Sequence, residues 1–285
     1  MDKVLITGIT GNIGTQVYSS LIKHKDDLEI VGGVSNVDRA QRDYPNIKLR
    51  RLDFMDPNTY GDVLAGINKI FLMRPPAISN VKQYIFPFLD YIKKVGVEKV
   101  VFLSLQGVEN NPITPHHKIE KYILKLGIPY VFVRPSFFME NLVTTHRKEI
   151  VELNEIIVPA GDGKTSFIAG EDIGEVARLA LIDEQMMNQA YEITGESAFS
   201  YTEVAEKMTE IIGRNIGYKH PSIIRFIRHR RRYGDKWAFI MVMVGLYSVC
   251  RLGKADGITK TLEQLLNRRP MSLDEFLMKH KDMLD

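Results

Sequence analysis

Three glycines directly behind an apolar run constrain this chain more than any other feature: Val4-Leu-Ile-Thr-Gly8-Ile-Thr-Gly11-Asn-Ile-Gly14. A strand that turns at once into helix-compatible residues needs each glycine for a different reason. Gly8 permits the tight turn, Gly11 lets the main chain approach a pyrophosphate, and Gly14 lets helix and strand pack closely. The helix N-terminus that follows stabilises an anion through its free N–H groups. The segment predicts a dinucleotide site in which Gly8, Ile9, Thr10, Gly11, Asn12 and Ile13 surround the phosphates.

Through the first half of the chain, short β-branched runs alternate with helix-patterned stretches, which predicts parallel strands joined by crossover helices. Six strands are expected, over residues 4–7, 29–34, 47–52, 69–73, 99–104 and 130–134. Their runs are apolar rather than alternating, as strands covered by helices on both faces are. Asp56-Pro57 has the cap and first-turn proline of a helix start. After residue 136 the rhythm changes to loops and helices, with 191–194 as one further strand of the sheet. Ser200 with Glu203 and Ser272 with Glu275 have capping-box spacing. In the first of these helices Tyr201, Val204, Ala205, Met208, Ile211 and Ile212 share one face. The fold expected is α/β: a Rossmann-type doubly wound parallel sheet with a smaller, mainly helical C-terminal lobe. The dinucleotide-binding domain would span 1–150 and the substrate lobe 151–285, with about 172–195 returning to the sheet. Cofactor and substrate would meet in a cleft between the two at the switch point of the sheet.

Composition closes off other classes. With 45% hydrophobic and 26% charged residues in 285, the chain has ample apolar material for a core, which excludes disorder. Its net charge of +3 falls short of the basic excess that nucleic-acid binding needs. The single Cys250 excludes an intramolecular disulfide and any multi-cysteine metal site, and suits a reducing compartment, so a cytoplasmic location is expected. The first residues carry none of the marks of a signal peptide. The near-apolar run 237–250 is shorter than the roughly eighteen residues of a membrane span and reads as a buried helix. Before it lie Arg225, Arg228, Arg230, Arg231 and Arg232. They read as a solvated face, the alternatives being a membrane-surface anchor or a grip on an acidic protein or nucleic acid.

The glycine spacing, with Thr7 in front, is similar to that of extended and atypical short-chain dehydrogenase/reductases, and further strings resemble their NmrA-like branch. These are Val100-Val-Phe-Leu-Ser104 with Gly107, the stretch from His116 to Leu126, and Pro129-Tyr-Val-Phe-Val-Arg134-Pro135-Ser-Phe-Phe138-Met-Glu-Asn141. Gly161-Asp-Gly-Lys-Thr-Ser-Phe167 with Asp172-Ile173 and the Tyr201-Thr-Glu203 helix start belong with them, so that the resemblance covers about residues 3 to 283. NADP-using members tend to have arginine where this chain has Ser35, and a second basic residue at the position of Arg39. The resemblance thus implies NADP(H) in preference to NAD(H), although Arg39 reads equally as a solvated charge. It places Asp53 and Phe54 beside the adenine, and Arg74, Pro75 and Pro76 along the phosphates and nicotinamide ribose. The plain reading of the latter is a stiff loop with a surface charge. Pro135 and Phe138 would approach the nicotinamide, with Phe137, Phe138 and Met139 lining a pocket for a planar apolar guest. Their alternative role is ordinary core.

Typical short-chain dehydrogenases move protons with a Tyr-x-x-x-Lys helix pair. This chain lacks it: Tyr44 with Lys48 is the one spacing match, and Pro45 between them prevents a helix. His116 lies four residues before Glu120, so His116 is a candidate acid and Ser104 a candidate for orienting substrate. A capping or structural histidine is the alternative. Alcohol oxidation needs a base, whereas hydride transfer to a quinone needs little beyond positioning, with water delivering the proton. The expected function is an NAD(P)H-dependent oxidoreductase acting on a planar apolar acceptor such as a quinone. The alternative is a non-catalytic NAD(P)(H)-binding sensor acting through a protein partner on the 225–232 stretch. No metal site is expected. Gly163-Lys164-Thr165 reads as a turn, since Val158 stands where a phosphate-binding loop needs glycine.

Overall fold

All six expected strands form within two residues of their expected ends: β1 (Asp2–Thr7), β2 (Leu28–Val34), β3 (Lys48–Arg51), β4 (Lys69–Leu72), β5 (Lys99–Leu103) and β6 (Tyr130–Pro135). They are parallel, and with a seventh strand, Gln189–Ile193, they lie in the order seventh, β6, β5, β4, β1, β2, β3. The order reverses between β4 and β1, which makes their carboxyl ends the switch point of the sheet. The computed structural model describes residues 2–24 and 26–285.

Every residue of β4 and β5 is buried, because helices cover both faces. Leu5, Val31, Ile70, Leu72, Val100 and Phe102 pack with Val63, Phe88, Leu89, Ile92 and Ile119 of the helices on one side. Each such side chain contributes roughly 1.5–3 kcal/mol. Val4, Ile6, Phe71 and Val101 alternate with them and face the other way. There helix α1 (Asn12–His24) and the helix Gly170–Ile182 pack together. A methyl group at Gly174 would lie 2.7 Å from the main chain of Gln16, so the two backbones touch.

By contact the chain divides into two units. Unit 1 is the chain up to Pro135 with Gly170–Glu192, and unit 2 is Ser136–Ala169 with Ile193–Asp285. The boundary expected at residue 150 therefore falls fifteen residues earlier, after Pro135. Phe137 and Phe138 pair with Phe167 and Ile168, and Met139, Leu142 and Val143 enter a second core. Residues 170–192 join unit 1 because their helix completes the cover of the large sheet.

Unit 2 gathers the helices Tyr201–Ile212, Ile223–Arg232, Trp237–Arg251 and Leu273–Lys279 around that second core. Both predicted capping boxes are complete, at Ser200 with Glu203 and at Ser272 with Glu275. Asp56 also caps as expected, although Pro57–Thr59 is a 3-10 turn that leads into the helix Tyr60–Leu64. Two expectations are corrected. The helix Trp237–Arg251 buries Ile240, Met243, Tyr247 and Cys250 but leaves Trp237, Met241, Val242 and Leu246 exposed. One helix surface reaches the core and the other is covered by none of the described residues. The arginine run is likewise not a uniform solvated face, because Arg230 is buried and ion-paired with Glu149 and Asp235, and Arg225 bonds to Glu155. No helix among the described residues is long and apolar enough to cross a membrane.

Candidate dinucleotide site

At the end of β1 the main chain turns back so tightly that the N–H of Gly11 donates to the carbonyl of Gly8 over 2.9 Å. Gly8 has φ +65°, a left-handed conformation open to glycine without strain. A methyl group at Gly14 would stand 2.1 Å from the Gly8 carbonyl oxygen, so helix α1 cannot start where it does with any other residue there. At Gly11 the same test finds the Gly8 oxygen at 3.2 Å, which leaves the fold room but little to spare. Ile9 and Ile13 are buried and pin the loop from below, and the Thr15 hydroxyl donates to the Ile9 carbonyl over 2.9 Å. Thr10 and Asn12 stay exposed. The result is a tight turn that presents main-chain N–H groups at a helix N-terminus, a geometry suited to an anionic group.

Beyond β2, Ser35, Asn36 and Arg39 are exposed. The Asn36 side chain accepts from the Arg39 N–H over 2.9 Å and so caps the helix Val37–Asp43. No carboxylate ends the strand, and the cationic head of Arg39 projects from the first turn of that helix. After β3, the Asp53 carboxylate accepts from the Met55 N–H over 2.9 Å and shapes its own turn. The Phe54 ring is not a flank for adenine: it is buried edge-on against Phe88, 5.1 Å between centroids. The Phe54 carbonyl is taken as well, accepting from the Tyr60 hydroxyl over 2.8 Å.

The ends of β4, β5 and β6 hold the remaining candidates of unit 1. The Thr7 hydroxyl accepts from the Met73 N–H over 2.8 Å, tying β1 to β4 at the switch point. Arg74 is not a surface charge. Its Nη1 donates to the carbonyls of Pro75, Pro76 and Ile78 over 2.9, 3.2 and 2.7 Å, which fixes the loop, and burial lowers its pKa. Its Nε is buried without a partner, as are the Ser104 hydroxyl and the His116 Nδ1. Pro135 is buried, and its carbonyl accepts from the Gln106 N–H over 3.0 Å.

The His116–Glu120 pairing suggested by spacing does not form. Both carboxylate oxygens of Glu120 are taken by Arg134, at 3.0 and 2.7 Å. His116, at the start of the helix Pro115–Leu126, instead lies near Phe102, and its pKa is pushed down to about 3 by burial and then by the Arg74 charge. At physiological pH the ring is thereby held neutral, which leaves it a hydrogen-bonding group. Three polar atoms near the carboxyl ends of the strands, on a histidine, a serine and an arginine, are thus buried without a partner.

Phe137, Phe138 and Met139 belong to unit 2. Met139 is fully in the core and lines nothing, whereas Phe137 and Phe138 are half-buried on their short strand. Two features had no place in the sequence reading. The Met73 methyl group lies where a side chain at Gly8 would need to go, at 2.4 Å, and its position directly before Arg74 was the available signal. In unit 2 the buried His146 bonds to Glu149 and to the Tyr247 hydroxyl. Only its spacing to Glu149 is visible in sequence.

Known proteins bear on this geometry. The chain is 28% identical over 275 residues to prestalk A differentiation protein A of Dictyostelium discoideum, covering 96% of this chain and 90% of that one. It is 27% identical to an NAD(P)H azoreductase of Xenophilus azovorans, covering 97% of each. Among solved structures it superposes on an NADPH-dependent quinone oxidoreductase of Escherichia coli with TM-score 0.83 and 25% identity, over 97% of this chain and 98% of the other. The NmrA-like family model matches residues 1–277. Since that match takes in both the glycine loop and nearly all of unit 2, the chain as a whole belongs to the NmrA-like family.

Proposed function

We propose that this protein is an NAD(P)H-dependent oxidoreductase that passes hydride to a planar apolar acceptor such as a quinone. The bound reduced nicotinamide supplies the hydride. The chain's own contribution is to hold and orient. Gly8 to Ile13 hold the pyrophosphate, Arg74 keeps the 75–78 loop rigid beside it, and Ser104 and His116 offer a hydroxyl and a ring nitrogen to polar ligand atoms. The observation that carries the reaction class is the state of His116 and Glu120. With its pKa pushed down to about 3 the His116 ring is too weak a base to take a proton from an alcohol, and Glu120 is locked to Arg134. An electron-poor acceptor takes hydride without such help, and water completes the protonation. Azo and quinone reductases among the relatives support this reading.

Within it we propose NADPH over NADH, because β2 ends in Ser35 without an acid and Arg39 stands exposed next to it. In unit 2 the half-buried Phe137 and Phe138 are the apolar surface proposed for the acceptor. The free Cys250 suits the reducing cytoplasm. The test follows reduced-nicotinamide absorbance with a panel of quinones and azo dyes, NADPH and NADH in parallel. Saturable oxidation, faster with NADPH, is expected. Arg39→Ala should narrow the NADPH preference by about tenfold, the effect of removing one charge–phosphate contact. No turnover, with neither cofactor raising the melting temperature, would overturn the proposal.

A further inference from the structure

Basic charge in this chain is concentrated in one stretch. Residues 219–254 hold nine of its 38 lysines and arginines but one of its 35 acids, a formal +8, so the other residues sum to −5. Every one of these cations except Arg230 is exposed. Arg225 and Lys219 pair with Glu155. Among the described residues Arg228, Arg232, Lys236, Arg251 and Lys254 carry no ion pair.

The same stretch holds the uncovered apolar face of the helix Trp237–Arg251. Trp237, Ala238, Met241, Val242, Gly245 and Leu246 recur at a four-residue step and are all exposed, Trp237 by 55%. They form a stripe along a helix about 22 Å long. On the neighbouring helix Ile224 is 70% exposed, and Leu252 follows at the far end, also 70% exposed. The two helices are locked together beneath this surface by Phe226 against Tyr247 and by Arg230 with Asp235. An apolar stripe bordered by arginines, with a tryptophan at one end, is the pattern of helices that lie in a membrane interface.

We propose that the helices Ile223–Arg232 and Trp237–Arg251 dock on a bilayer surface that carries anionic headgroups. The Trp237–Leu246 stripe enters the boundary between headgroups and acyl chains, and Arg228, Arg232 and Lys236 meet the phosphates. Charge decides between the candidate occupants. A second copy in a symmetric contact would set one +8 segment against another, whereas an anionic lipid surface opposes it with the complementary sign. The contact stands independently of the reductase reading.

Trp237 is the only tryptophan of the chain, so its fluorescence reports this surface alone. The full-length protein is mixed with vesicles of phosphatidylcholine and with vesicles that also contain phosphatidylserine. Cosedimentation with the anionic vesicles and a blue shift of Trp237 are expected, both weakened by salt. Leu246→Glu and Met241→Glu change exposed positions, so the fold persists, and should remove the blue shift. The double variant Arg228→Glu/Arg232→Glu should weaken binding by at least about tenfold. Absence of binding to anionic vesicles overturns the proposal. So does binding that the Leu246→Glu variant retains in full, since charge alone would then explain it. Binding to polyglutamate but not to vesicles would assign the arginines to an acidic protein instead. Self-association that buries Trp237 would assign the stripe to a second copy.

Discussion

At opposite ends of one sheet, buried polar groups are treated in opposite ways. Near the amino ends of β4 and β5, Lys69 and Lys99 are buried but compensated. Lys69 meets Asp2 at 2.9 Å and Glu184 at 3.0 Å, and Lys99 meets Glu184 at 3.0 Å and the Asp183 carbonyl at 3.1 Å. Near the carboxyl ends, Arg74 Nε, Ser104 Oγ and His116 Nδ1 are buried with no partner. An unmade hydrogen bond of that kind costs about 1–3 kcal/mol. One end is built for stability, and the other tolerates a cost that a ligand with matching polar atoms would recover.

Variants at the two ends sharpen this contrast. The largest effect is expected at Gly11→Val, whose side chain would fill the space proposed for the pyrophosphate, its first carbon standing 3.2 Å from the Gly8 carbonyl oxygen. Cofactor affinity should fall by more than about a hundredfold, roughly 3 kcal/mol, with the melting temperature of the free protein lowered far less than that loss would require. Titration with NADPH and thermal melts measure the two separately. Retained affinity would show that the glycine loop is not the cofactor site.

The mirror variant is Lys99→Met. It removes a fully buried cation and its two bonds while the exposed Glu184 keeps Lys69, and should destabilise the protein by about 1–2 kcal/mol in urea unfolding, with cofactor affinity intact. A loss of affinity without destabilisation would erase the distinction between the ends. Asp2 and Glu184 are both held below the usual carboxylate range, Asp2 by its Lys69 bond and Glu184 by Lys99 and Lys69 against the opposing effect of burial. The stability they contribute is present above the unfolded carboxylate pKa and is lost as pH falls through their folded values.

The last effect depends on pH and comes from His116. Its folded pKa of about 3 lies below the unfolded value of 6.5, so its contribution is complete above pH 6.5. As pH falls from there towards 3 the unfolded chain takes up a proton that the folded one refuses, at up to about 1.4 kcal/mol per pH unit. His116→Asn should flatten that part of a stability profile measured by urea melts from pH 4 to pH 7. An unchanged slope would mean that His116 is not buried as a neutral ring.

The glycine loop and strands were legible because their demands are local: a positive φ at Gly8, no space at Gly14, and runs of apolar residues. The caps at Asp56, Ser200 and Ser272 act over two or three residues and were read equally well. What misled was any residue whose partner comes from elsewhere. Glu120 follows His116 by four residues but bonds to Arg134, and Arg230 leaves its basic run to meet Glu149. Phe54 and Met139 were apolar candidates for a site, but each had a core to enter.

By itself, then, the sequence determined the elements and the cradle, since backbone conformation and hydrogen bonding act between near neighbours. Tertiary structure alone decided which polar atoms stay unpartnered at the strand ends and which face of the helix Trp237–Arg251 stays bare. Burial and charge compensation depend on what the fold brings across long separations in the chain, and no local pattern contains that information.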